Sequence, residues 1–135
     1  MELAKILLRQ KGPLTLRVLQ ELQTEYDHRF VDLKFTGFDK VRHTYAHLGK
    51  LMGRLADYVE AREENREVSE EDIKTKVIPD LLVYSSWLAR EFNVDLSRAY
   101  LKRFVGNVKR LHGDEIPSDQ MVEIESSARK VIGYK

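Results

Sequence analysis

Between residues 41 and 59 the apolar side chains Val41, Tyr45, Leu48, Met52, Leu55 and Val59 recur at spacings of 4, 3, 4, 3 and 4. Only an α-helix returns side chains to one face at that period, so the stretch predicts a long helix over about 40 to 65 with a bundle seam along it. Leu51 and Tyr58, with Thr44, add a second apolar flank beside that seam. One helix with two faces to cover implies a homodimer or a dimer of dimers. Interruptions are few, with seven Gly and three Pro in 135 residues, and the remaining apolar residues also fall mostly three and four apart. The expected fold is all-α, a helical bundle of five to six helices in a single domain over 1–135.

The other helices follow from their stop and start signals. A first helix is expected from Glu2 to Lys11, ended by Gly12-Pro13, and a second after Thr15 as N-cap, with Leu16, Leu19, Leu22, Tyr26 and Phe30 on one face. A loop containing Gly37 leads to Asp39, the expected cap of the long third helix. Ser69 followed by Glu70, Glu71 and Asp72 opens a fourth helix carrying Ile73, Val77, Leu81, Leu88 and Phe92, in which Pro79 predicts a kink or break. Asp95 caps a fifth helix, 96 to about 112, with Gly113 as its C′ residue. A weaker sixth helix after Ile116-Pro117 uses Met121, Ile124, Ala128 and Val131.

Composition removes several classes of function. Cysteine is absent, which rules out disulfides, thiolate nucleophiles and Cys-ligated zinc or iron–sulfur clusters. The longest apolar runs, such as Leu81-Leu82-Val83-Tyr84, are far below a membrane span, and the first residues show neither an n-region nor an h-region. A soluble, cytoplasmic protein with no membrane partner is the expectation. A formal net charge of +1 makes nucleic acid an unfavoured partner. Charge is nevertheless unevenly placed. Residues 57 to 72 hold eight acids against two bases, whereas 96 to 112 hold five bases, Arg98, Lys102, Arg103, Lys109 and Arg110, and no acid. Both are compatible with solvated helix faces; the second is also compatible with an anion site.

Several strings in order carry a family likeness. Leu14-Thr15-Leu16-Arg17-Val18-Leu19-Gln20 is followed by His47-Leu48-Gly49-Lys50-Leu51 on the long helix, then by Val77-Ile78-Pro79-Asp80-Leu81-Leu82-Val83-Tyr84. Asn93-Val94-Asp95-Leu96 and Arg103-Phe104-Val105-Gly106-Asn107-Val108-Lys109-Arg110 complete the series. Over residues 14 to 112 the chain resembles the MazG-like all-α nucleoside triphosphate pyrophosphohydrolases. The resemblance implies Mg²⁺ held by E-x-x-E on one helix and E-x-x-D on a later one, and phosphate contacts from Lys-x-x-x-Asn-x-x-Arg. At the four acid positions this chain has His47, Lys50, Val77 and Asp80, so Asp80 is the only acid of the four. Ammonium and isopropyl groups cannot ligate a dication, and no metal or other cofactor is expected.

The phosphate half of the pattern is better kept. Arg103, Asn107 and Arg110 are spaced four and three on one stripe of the fifth helix, suited to phosphate oxygens. His43, His47, Lys50 and Arg54 make a second stripe, which the resemblance would place in a cleft opposite Asp80 and Tyr84; in a monomer without that cleft it faces solvent. The expected nucleotide- or phosphate-binding residues are therefore Arg103, Asn107, Arg110, Lys50 and His47, in a module without a competent pyrophosphohydrolase site. Two alternatives stand beside it. One is an active pyrophosphohydrolase releasing NMP and pyrophosphate through Asp80, Mg²⁺ and a non-standard acid set. The other is a purely structural, protein-interacting subunit. Glu60, Glu63 and Glu64 form an acidic tip that could hold a displaced metal but reads more simply as solvated surface, and His43 and His47 have a zinc-like spacing that two helical histidines share by chance. Trp87 is expected in the core or at an interface.

Overall fold

The computed structural model describes residues 2–133. Six α-helices account for most of the described residues: α1 Glu2–Arg9, α2 Leu16–Phe30, α3 Gly37–Glu63, α4 Ile78–Glu91, α5 Leu96–His112 and α6 Ser118–Val131, with a π-helical turn, Ile73–Val77, directly before α4. Among the described residues there is no strand, and no helix is long and apolar enough to cross a membrane. The helices fall into two compact units, Met1–Asn93 and Val94–Lys135.

Local chemistry explains the boundaries. Thr15 accepts a hydrogen bond from the Val18 amide at 3.2 Å and Asp95 one from Arg98 at 3.0 Å, each satisfying an amide that the first turn leaves open. The α3 start differs from the expected one. Gly37, with φ of +53°, lets the chain turn into the helix two residues before Asp39, which sits in the first turn and pairs with Arg42 at 2.7 Å. Pro79 acts as anticipated but through a particular device. Lacking an N–H, it cannot donate to the preceding turn, and the backbone widens just ahead of it, where the Ile78 amide reaches the Ile73 carbonyl.

In the first unit α1 packs on α2, α2 on α4, and α3 runs antiparallel to the π-turn and α4. Ile6, Val31, Leu51, Ala61, Val77, Trp87 and Ala89 form its buried apolar core. The face of α3 turned inward carries Lys40, Thr44, Leu51 and Ala61, not the seam read from periodicity: Tyr45, Met52, Leu55 and Val59 are exposed, and Val41 and Leu48 half-buried. In the second unit α6 folds back along α5, with Lys109 bridging to Glu125 at 3.3 Å. Neither helix contains a buried residue, and Tyr100, Phe104 and Leu111 on α5 are exposed.

Candidate functional site

The most constrained chemistry lies where α2, α3 and α4 meet. Lys40, from the first turns of α3, is 0% exposed, and Asp27, one turn before the end of α2, is 1% exposed. Lys40 Nζ lies 3.0 Å from Asp27 Oδ2, 3.3 Å from Asp32 Oδ1 and 3.9 Å from Glu91 Oε1, and 5.0 Å from the centre of the Trp87 ring. The other Asp27 oxygen accepts from Gln23 at 2.8 Å. Arg90 at the end of α4 grips Asp32 with both guanidinium nitrogens, at 2.6 and 3.1 Å, and stands 3.8 Å from Asp27. A forked guanidinium–carboxylate pair fixes orientation as well as charge. Burial alone would push the Asp32 carboxyl up, but Arg90 and Lys40 outweigh it and hold its pKa below the ordinary 3.8. Three carboxylates thus converge on an ammonium supplied by the chain itself.

Next to this cluster an aromatic and imidazole row fills the α3–α4 groove. Phe35 stacks on His43 at 4.2 Å between ring centres, His43 meets His47 at 4.3 Å, His47 meets Tyr84 at 5.1 Å, and Tyr84 meets Trp87 edge-on at 5.6 Å. Trp87 lies in the core, and its indole Nε1 is buried with no hydrogen-bond partner among the described residues. Burial, then the positive charge of His43 and Lys50, lowers the His47 pKa from 6.5, with Asp80 opposing. Burial and the same Asp80 raise Tyr84. Of the stripe from His43 to Arg54, His43 and His47 meet α4 through Trp87 and Tyr84, while Lys50 is exposed. His47 meets Tyr84, one turn beyond the 47–80 pairing, His43 stacks on Trp87 at 5.8 Å between ring centres, and Arg54 reaches Asp72 at 3.6 Å.

The sequence-derived residues divide between the units. His47, Lys50 and Asp80 lie in the first, where His47 is half-buried, Lys50 exposed and Asp80 partly buried at the start of α4. Val77, at the third aligned position, is 1% exposed and belongs to the core. Arg103, Asn107 and Arg110 lie in the second unit on α5, the two arginines exposed, and Asn107 Oδ1 is buried with no partner among the described residues. Magnesium does not fit the four aligned positions: they offer one carboxylate, an imidazole, an ammonium and an isopropyl group. Among the described residues no three His, Asp or Glu side chains are grouped as a metal site requires. At the acidic tip Glu60, Glu63 and Glu64 are exposed, and Glu64 pairs with Arg66 at 2.5 Å.

Sequence reasoning missed Asp27, Asp32, Lys40, Arg90 and Glu91. These charges carry no periodic signal of their own, and nothing local distinguishes them from surface charges. The one available hint is that the apolar face of α2 gives way to Asp27-His28-Arg29 in its last turn, where the bundle still has to be filled. Comparison with protein-family models, with curated proteins and with solved structures returned no match.

Proposed function

We propose that this chain is a MazG-like helical module without the magnesium-dependent pyrophosphohydrolase site, and that it binds nucleotides or related phosphate compounds without a metal. The observation that carries the reading is the occupancy of the α3–α4 groove at the positions the resemblance aligns: His47 tilted against Tyr84, Lys50, a core Val77 and a single acid, Asp80. Two supports come from electrostatics. The carboxylates nearest one another, Asp27, Asp32 and Glu91, are paired with Lys40 and leave no uncompensated anionic set for a cation. The second unit presents Arg103 and Arg110 as exposed cations on one stripe of α5, available to phosphate oxygens.

A hydrolysis assay with common NTPs and dNTPs in Mg²⁺ or Mn²⁺ tests the catalytic half of this reading. The expected result is no metal-stimulated pyrophosphate release. Turnover that Asp80→Ala abolishes would establish the enzyme reading in its place. A purely structural role is the second reading, favoured by the apolar residues that α3 leaves exposed. It predicts that no nucleotide binds at all.

A further inference from the structure

The open face of α5 combines aromatic rings with cations. Tyr100, Phe104, Asn107 and Leu111 are spaced four, three and four, so they share one stripe of the helix, and Arg103 and Arg110 run along its edge. Tyr100 is 61% exposed and Phe104 47%. Their rings are nearly parallel, with 20° between the planes and 6.3 Å between the centres. Two large π-faces are thus left in water, where hydration of their apolar area is unfavourable.

The charge beside them is uncompensated. Elsewhere exposed cations pair with an acid three or four residues away on the same helix, as Lys5 does with Glu2, Arg29 with Glu25 and Lys74 with Glu70. Between Leu96 and His112 there is no acid, and neither Arg103 nor Arg110 has a carboxylate partner among the described residues. Asn107, which falls between the two arginines, has a side-chain oxygen that no group among the described residues binds. The net charge of +1 averages this helix with the eight acids of residues 57 to 72, and so does not describe the local field on α5.

We infer that this face of α5 binds single-stranded nucleic acid, with bases stacked on Tyr100 and Phe104 and backbone phosphates held by Arg103 and Arg110. The bases of a single strand are free to lie on a ring, whereas a duplex keeps its π-faces inside its own stack, so the two rings select single strands. The arginines at the edge supply the positive track that a phosphate backbone follows. From Tyr100 to Leu111 the stripe is about 16 Å long, which offers more than one base position. A lipid surface is the competing partner for a basic helix with apolar residues. It fits less well, because the Asn107 amide lies within the stripe where acyl chains would require an apolar group, while an amide pairs readily with a base edge. The inference rests on the phosphate contacts already proposed for Arg103 and Arg110 and adds two properties to them: preference for a strand over a mononucleotide, and dependence on the rings.

Fluorescence anisotropy on the full chain in EDTA tests this, using a labelled oligouridylate of about twelve nucleotides, its deoxy counterpart and a duplex of the same length, with UTP and pyrophosphate as competitors. A single strand should bind roughly tenfold or more tighter than UTP, which has one base for two rings. Whichever of the ribose and deoxyribose strands binds tighter identifies the ligand as RNA or DNA. With two phosphate contacts, the logarithm of the binding constant should fall against the logarithm of salt concentration with a slope of about −1.4, and Arg103→Gln should halve that slope to about −0.7. Tyr100→Ala or Phe104→Ala should weaken strand binding by roughly fivefold to a hundredfold, whereas Tyr100→Phe keeps the ring and should keep the affinity. Circular dichroism of each variant should match the wild type, since these side chains are exposed. A strand bound no more tightly than UTP would overturn the inference and leave the nucleotide reading standing; no binding of strand, UTP or pyrophosphate would overturn both. Ring variants that bind the strand as the wild type does, tighter binding of the duplex, or capture by phosphatidylserine vesicles without strand binding would each overturn it as well.

Discussion

Lys40 and Asp27 are each other's condition for being buried. An ion pair taken out of water gains little net stability, but removing one partner leaves a charge with nowhere to go. Lys40→Met should therefore cost about 3–5 kcal/mol in a denaturant titration, and adding Asp27→Leu should recover most of that loss. A single variant within experimental error of the wild type would mean that the pair is not buried as described. Among the shifted groups, His47 and Asp32 are the two that sit at the packed junction of α2, α3 and α4 and shape the acid response there. The pKa of His47 is depressed below 6.5 in the folded chain, so the unfolded chain binds more protons near and just below that value. Stability should fall as pH drops from 6.5 toward the folded-state pKa and level off beneath it. Asp32 is also depressed, and its contribution is present above 3.8 and lost as pH falls through its lower folded value. Denaturation midpoints measured against pH should drop in two steps, and His47→Gln should remove the upper one. Identical profiles for that variant and the wild type between about pH 7 and 5 would contradict the assignment. None of the buried charges was legible in the sequence. A buried lysine looks like any surface lysine until three carboxylates, contributed from as far apart as Asp27 and Glu91, are brought around it.

At the scale of elements, the sequence was most informative where the signal is local. Thr15, Asp95 and the Gly12-Pro13 stop each act within four residues, and the helix starts they define match the observed ones at Leu16 and Leu96. Thr15→Ala should lower stability by about 1 kcal/mol, read as a shift in melting temperature, because it frees the Val18 amide. No shift would show that the α2 start is held by packing alone. The long helix was legible in extent but not in orientation. Its strongest apolar period marks the outer face, and the weaker one, Thr44 and Leu51 with Lys40, marks the core. Periodicity gives the number of faces and says nothing about which neighbour each meets, because a seam toward a second chain and a seam toward the core obey the same spacing. The Pro79 interruption was foreseeable for the same local reason as the caps. Its form, a π-turn, was not, since it depends on how Val77 is drawn into the core.

The all-α bundle followed from spacing and scarce Gly and Pro. Of the residues predicted for phosphate contact, His47 and Lys50 belong to one unit and Arg103, Asn107 and Arg110 to the other. Arg103→Glu combined with Arg110→Glu should abolish phosphate-ligand binding while leaving helicity and melting temperature near wild type, since both side chains are exposed. Binding that survives the double reversal would move the contact away from α5. The central claim is metal-independent recognition of a nucleotide or related phosphate compound, and calorimetry addresses it most directly. ATP, dUTP and inorganic pyrophosphate are titrated into the full chain in EDTA and again in Mg²⁺. The account predicts saturable binding of at least one of them in EDTA, weakened by salt as screening over a Debye length of about 8–10 Å requires. Binding that appears only with Mg²⁺, or no heat from any of the three in either buffer, would contradict it.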